Sequence, residues 1–127
     1  MDSPATRLHL SALLGLIAVI CGAAGAHGSL HDRLLASGEL DHWRTAVSYH
    51  LPHAILAVIL SLNVLTDGAA ARWAWRFIIV GILLFSGSLY VLAITQVKWL
   101  GAITPFGGLS LMLGWVMLAL GRPASRQ

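Results

Sequence analysis

Five of the six histidines, His27, His31, His42, His50 and His53, crowd into one stretch of the chain, and His50 and His53 stand at the head of an apolar run. Imidazole binds transition metals, ligates haem iron and hydrogen-bonds as a neutral ring, so three chemistries are open. His27 with His31, and His50 with His53, have spacings that bring two ring nitrogens to one helical face, as a zinc or copper site requires. No cysteine or carboxylate completes a familiar ligand set, and Gly25 and Gly28 are placed to break the helix around the first pair. Two histidines on different helices would hold a haem edgewise only across a bundle wide enough for the macrocycle. The third chemistry is architectural: His53 hydrogen-bonded to Ser88, to Tyr90 or to a carbonyl freed near Pro52, binding nothing. No Ser, His and Asp set and no carboxylate pair falls at one depth, so the expectation is a protein that is not an enzyme and has no resident cofactor.

The elements that carry these residues follow from composition. Hydrophobic residues make up 57% of the 127-residue chain and charged residues 10%, and such a chain cannot build a water-soluble surface. Four apolar stretches, residues 8–26, roughly 49–66, 74–95 and 104–120, each approach the length that crosses a hydrocarbon core of about 30 Å. The expectation is one all-α domain over 1–127, an integral membrane four-helix bundle with a short interfacial helix between spans 1 and 2. Almost nothing remains for a soluble domain or a nucleotide-binding loop. Arg7 ahead of a hydrophobic run and "AGA" before His27 resemble a secretory cleavage site, but a run of about 19 residues exceeds the usual signal-peptide core, so a retained helix is expected.

The net charge of +3 comes without a basic stripe or stacking platform, which argues against nucleic acid. Arg7, Arg72, Arg76, Arg122 and Arg126 fall on one side of a four-span arrangement, and Arg33, Arg44 and Lys98 on the other. The positive-inside rule then puts both termini in the cytoplasm. Trp73 and Trp75 would mark the inner interface, Trp43 and Trp99 the outer one. Cys21, the lone cysteine, lies inside the first span.

Local punctuation places the helix ends. "SGELDHWRTAVSYH" reads as a helix running into the membrane, with Ser37 or Asp41 as N-cap and Leu40, Trp43 and Val47 as its apolar stripe. Pro52 removes a backbone donor and predicts a kink or restart. "TDG" at 66–68 ends the second span with a glycine suited to a left-handed cap, and Thr104 with Pro105 opens the fourth. Small residues recur every seven positions: Gly15, Gly22 and Ser29; Ala54, Ser61 and Gly68; Gly81, Ser88 and Thr95; Gly107, Gly114 and Gly121. In lipid, helices associate through such close-approach seams. By helical rise, His53 reaches about 20 Å across from the inner side. Ser88 and Tyr90 lie at similar depth, with His27 and Thr104 near the outer edge.

Taken in order, "GAAGAHG" (22–28), Trp43, Ala46, Tyr49, "HA" (53–54), "LFSGSLY" (84–90), "ITPFGG" (103–108) and "GW" (114–115) resemble the domain of unknown function 423 family, which includes YgdD-like bacterial inner-membrane proteins and the mitochondrial transmembrane protein 256. The resemblance covers nearly the whole chain and implies a small four-span protein of the bacterial inner membrane. It marks Gly25, His27, Gly28, Tyr49, His53, Ser86, Gly87, Ser88, Tyr90, Thr104, Pro105 and Gly108 as positions that fit the family pattern. It also sets apart His50, where such proteins often carry Gln, Pro52, where an aromatic is common, and His31, where a basic residue is usual. Two function classes are expected. In the first, the chain is a non-enzymatic accessory subunit or assembly factor that docks onto a larger membrane complex or onto itself. In the second, His27, His53, Ser86, Ser88, Tyr90 and Thr104 line a polar pocket near the outer face for an ion, lipid head group, quinone or metal.

Overall fold

A computed structural model of the chain describes residues 3–62 and 68–123, all of it helices and short connections. Helix α1 spans Pro4–Ala26, α2 Gly28–Ser37, α3 Leu40–Ser61 and α4 Gly68–Thr95; a 3₁₀ turn, Lys98–Ala102, leads into α5, Thr104–Leu120. Three of these units, α1, α4 and the 23 residues of Lys98–Leu120, are long and apolar enough to cross a membrane. Helix α3 has 22 residues, long enough at about 1.5 Å per residue, but Asp41, His42 and Arg44 make its first turns polar.

Each boundary has a local cause. The Ser3 hydroxyl accepts the Thr6 N–H at 3.1 Å and Pro4 fills the first turn, so α1 starts there. His27 is extended and ends α1, and Gly38 turns the chain from α2 into α3 at φ +76°, a conformation that costs glycine nothing. Neither Ser37 nor Asp41 caps α3. Glu39 occupies the cap, its carboxylate held by His42 Nδ1 at 2.7 Å, while Ser37 bonds the Leu34 carbonyl. Helix α3 also runs unbroken through Pro52. Pro52 and Ser48 are both exposed, so the proline ring and the carbonyl it frees stay off the helix interfaces and no restart is needed. The helix ends at Ser61; Thr66 and Asp67 of the sequence-predicted cap lie outside the described residues, as does Arg126, and Gly68 opens α4 at φ +72°.

The helices pack as antiparallel neighbours. On α1 and α3, Gly25 meets Trp43 and Gly22 meets Val47. On α4 and α5, Ile78 meets Gly114, Gly81 meets Leu111, and the backbone of Leu84 and Phe85 meets Gly107. The α4 contact coincides with a wide π-helical turn, Ile82–Gly87, and a side chain on Gly107 would overlap that backbone. Gly15 contributes no such contact: nothing stands within 4 Å of where its Cβ would be. Gly121 ends α5 in an extended conformation.

The core gathers Leu14, Ala57, Leu60, Trp75, Ile78 and Leu111, and a second cluster at the other end seats Leu34 of α2 on Leu40, Trp43 and Ala93. Trp75 and Trp43 therefore depart from the sequence expectation of interfacial belts. Both are buried, at 3% and 5% exposure, because their faces of α4 and α3 point inward, while Trp73 and Trp99 are exposed. The outward faces of α1 and α5 are lined by Leu13, Leu16, Ile20, Phe106, Met112 and Val116, apolar surface that a bilayer covers.

Candidate functional site

The polar residues that the sequence singled out on α3, α4 and α5 fall into three places. In the first, Ser88 on α4 meets Thr104 at the head of α5, Oγ to Oγ1 at 2.8 Å. Ser88 also reaches the Phe85 carbonyl at 3.0 Å and Thr104 the Leu100 carbonyl at 3.5 Å, so either hydroxyl can donate the interhelical bond. Thr104 thus joins two helices and is the first residue of α5 rather than its cap. A neighbouring residue of the π-turn, Ser86, is buried and donates to the Ala46 carbonyl of α3 at 2.9 Å. In a double-mutant cycle on Ser88→Ala and Thr104→Ala, a coupling of about 0.6 kcal/mol is expected, read from thermal unfolding in detergent; strictly additive effects would show that the bond contributes nothing.

The second place surrounds Tyr90, half-buried on α4. Its hydroxyl lies 3.2 Å from His50 Nδ1, and the Cys21 thiol of α1 is close to the same hydroxyl. Trp43 packs against the Tyr90 ring at 4.7 Å between centroids, the planes tilted by 59°, and donates its indole N–H to the Cys21 carbonyl at 2.9 Å. His50 is 3% exposed, and its Nε2 is buried with no hydrogen-bond partner.

His53 belongs to a third place. Its Nε2 accepts the Trp115 indole N–H of α5 at 3.2 Å, so the proton sits on Nδ1, which donates to the Tyr49 carbonyl at 2.7 Å. Tyr49 packs on Phe85 and lies parallel to the His53 ring. The imidazole is saturated as a neutral ring.

The sequence-predicted residues are thus not one cluster. Ser88 and Thr104 come together, Ser86 bonds α3, Tyr90 partners His50, and His53 faces Trp115. His27 is exposed at the junction of α1 and α2. His31 Nδ1 donates to the Gly25 carbonyl at 2.9 Å, closing the end of α1. Among the described residues no three His, Cys, Asp or Glu side chains converge as metal ligands. Two features were missed in the sequence: His50 as the partner of Tyr90, and a groove of about 290 Å³ between α1 and α3 whose lining includes Gly22, Gly25, Trp43, Arg44 and Ser48. The glycines of "GAAGAHG" were the available signal: Trp43 fills the space at Gly25, while Gly22 faces only Val47 and leaves room beside it.

Comparison with known proteins places this arrangement. Residues 21–108 match the family model described as protein of unknown function (DUF423). The chain is similar to a UPF0382 membrane protein of Staphylococcus haemolyticus, 40% identical over 111 residues covering 87% of this chain and 89% of the relative. It is similar to the UPF0382 membrane protein YwdK of Bacillus subtilis at 39% identity, covering 87% and 90%. A UPF0382 membrane protein of Haemophilus influenzae is 40% identical, covering 90% of each chain. No solved structure matches. With a family model covering most of its length and relatives named as membrane proteins, the chain is a membrane protein and belongs to the DUF423 family.

Proposed function

We propose that the chain is a non-enzymatic four-span protein of the bacterial inner membrane, with α3 as the fourth span and α2 as an interfacial helix, and that it serves as an accessory subunit or assembly factor of a larger membrane complex. The observation that carries this is where the polar groups are used. Trp43 joins α1 to α3, Trp75 joins α4 to α1 through Ser11, Ser86 joins α4 to α3, Ser88 and Ser110 join α4 to α5, and Trp115 joins α5 to α3. Hydrogen bonds between helices hold a bundle in one geometry, and that is the use these groups have here. A bundle with apolar outer faces acts through what it packs against. Both termini lie in the cytoplasm, on the side of Arg7, Arg72 and Arg122. Native mass spectrometry of the protein extracted gently from its own membrane tests the role. A stoichiometric larger partner is the expected result; a free monomer or homo-oligomer would contradict it.

A second reading has one specific observation behind it, the groove beside Gly22 and Gly25. Arg44 and Ser48 at its rim and Trp43 in its wall suit a small amphiphile such as a lipid head group or quinone. A bound small molecule retained by the free protein, and lost in Gly22→Leu, would favour it.

A further inference from the structure

Arg7 is the most unusual charge in the molecule. It lies on the inward face of α1 with Ser11, Leu14, Ala18 and Gly25, and is only 4% exposed. One turn along, Ser11 donates to the Arg7 carbonyl at 2.7 Å and accepts the Trp75 indole N–H of α4 at 2.9 Å. The guanidinium therefore belongs to the end of the bundle where α1, the close of α3 at Ser61 and the start of α4 meet. Its Nε and Nη1 are buried with no hydrogen-bond partner. A guanidinium cannot shed its proton to escape burial, and a buried cation without a counter-charge is strongly disfavoured.

The described residues offer no counter-charge at that end. Their acidic side chains, Asp32, Glu39 and Asp41, all lie at the α2–α3 end, and Glu39 is engaged by His42. Arg72, near the start of α4, is an exposed cation at the same end. Arg76 lies over the Trp73 ring at 5.0 Å. A guanidinium whose N–H donors lack an acceptor, at an end of the bundle where the described residues hold no carboxylate, has the chemistry to receive a phosphate.

We propose that Arg7 binds a phosphate group at this end of the bundle, supplied by the head group of an anionic phospholipid or by free phosphate. The phosphate oxygens accept from the guanidinium N–H groups, and the exposed Arg72 raises the local concentration of the anion. The site is distinct from the groove at the opposite end and does not depend on the accessory-subunit role.

The test uses the full chain, delipidated in detergent and returned to nanodiscs of phosphatidylcholine with or without phosphatidylglycerol, or left in detergent with inorganic phosphate. Phosphatidylglycerol is expected to raise the unfolding temperature of the wild type and to survive on it in native mass spectra, with about tenfold weaker retention in Arg7→Gln. Arg7→Lys, which keeps the charge and loses the fork, is expected to fall between them and serves if Arg7→Gln does not fold. A shift with inorganic phosphate alone would assign the free anion, and a shift with phosphatidylglycerol alone the lipid; either supports the site. If neither probe moves the wild type, as when a carboxylate of this chain answers Arg7, or if Arg7→Lys and Arg7→Gln respond as the wild type does, the proposal is overturned.

Discussion

Gly107→Ala is expected to lower stability in detergent by about 3 kcal/mol, near the upper end of what one inserted methyl group does. The reason is what the methyl group would strike. Most overpacked sites relax because a flexible side chain moves aside, but the added Cβ at 107 overlaps the backbone of Leu84 and Phe85, inside the π-helical turn of α4. Moving that backbone would pull Ser86 from the Ala46 carbonyl and Ser88 from Thr104, so the damage spreads to α3. Gly15→Ala is the matched control. Nothing stands within 4 Å of the position, and alanine's higher helix propensity, worth up to about 1 kcal/mol in water, makes a neutral or slightly stabilised variant the expected result. Equal losses from the two substitutions in thermal unfolding would contradict the packing described for α4 and α5.

The second large effect is expected at Trp43. It is 5% exposed, donates to the Cys21 carbonyl, packs tilted against Tyr90 and fills the space left by Gly25. Trp43→Ala removes all three contacts and is expected to cost about 3 kcal/mol or more. Gly25→Ala alone places a methyl group into the indole ring and is expected to cost about 2 kcal/mol. In a Trp43→Ala background the same Gly25→Ala change meets an empty site, and its cost is expected to fall close to zero. The two residues are thus coupled in a way that additivity forbids. An unchanged Gly25→Ala penalty in both backgrounds would show that Trp43 is not seated against the glycine.

What was legible in the sequence, and what was not, follows from the same packing. The apolar runs of α1, α4 and α5 were legible because lipid imposes a length and a composition on any spanning helix. Gly107 and Gly114 were legible because close helix approach in lipid selects small residues. The choice between His50 and His53 as the partner of Tyr90 was not. Residues three apart differ by only about 60° around a helix of 3.6 residues per turn, so both sit near the same face, and only the placement of α4 and α5 divides them. The π-turn was hidden for a related reason. Its extra residue rotates Ser88 and Tyr90 by about 100° relative to a regular helix, so a simple count from Arg76 gives their depth but not their direction. Trp75 was misplaced because a belt rule describes depth in the bilayer and says nothing about which side of the helix faces lipid.

The number of membrane crossings bears most directly on the whole account, because α3 carries His50, His53 and Trp43 and is the helix whose first turns are polar. Three crossings would leave the termini on opposite sides of the membrane; four bring them to the same side. Single cysteines introduced by Ser3→Cys, Ser37→Cys and Ser125→Cys in a Cys21→Ser background can be labelled with a membrane-impermeant maleimide in spheroplasts and in inverted vesicles. The account predicts that positions 3 and 125 label only in inverted vesicles and position 37 only in spheroplasts. Labelling of positions 3 and 125 from opposite sides would remove α3 from the membrane and contradict it.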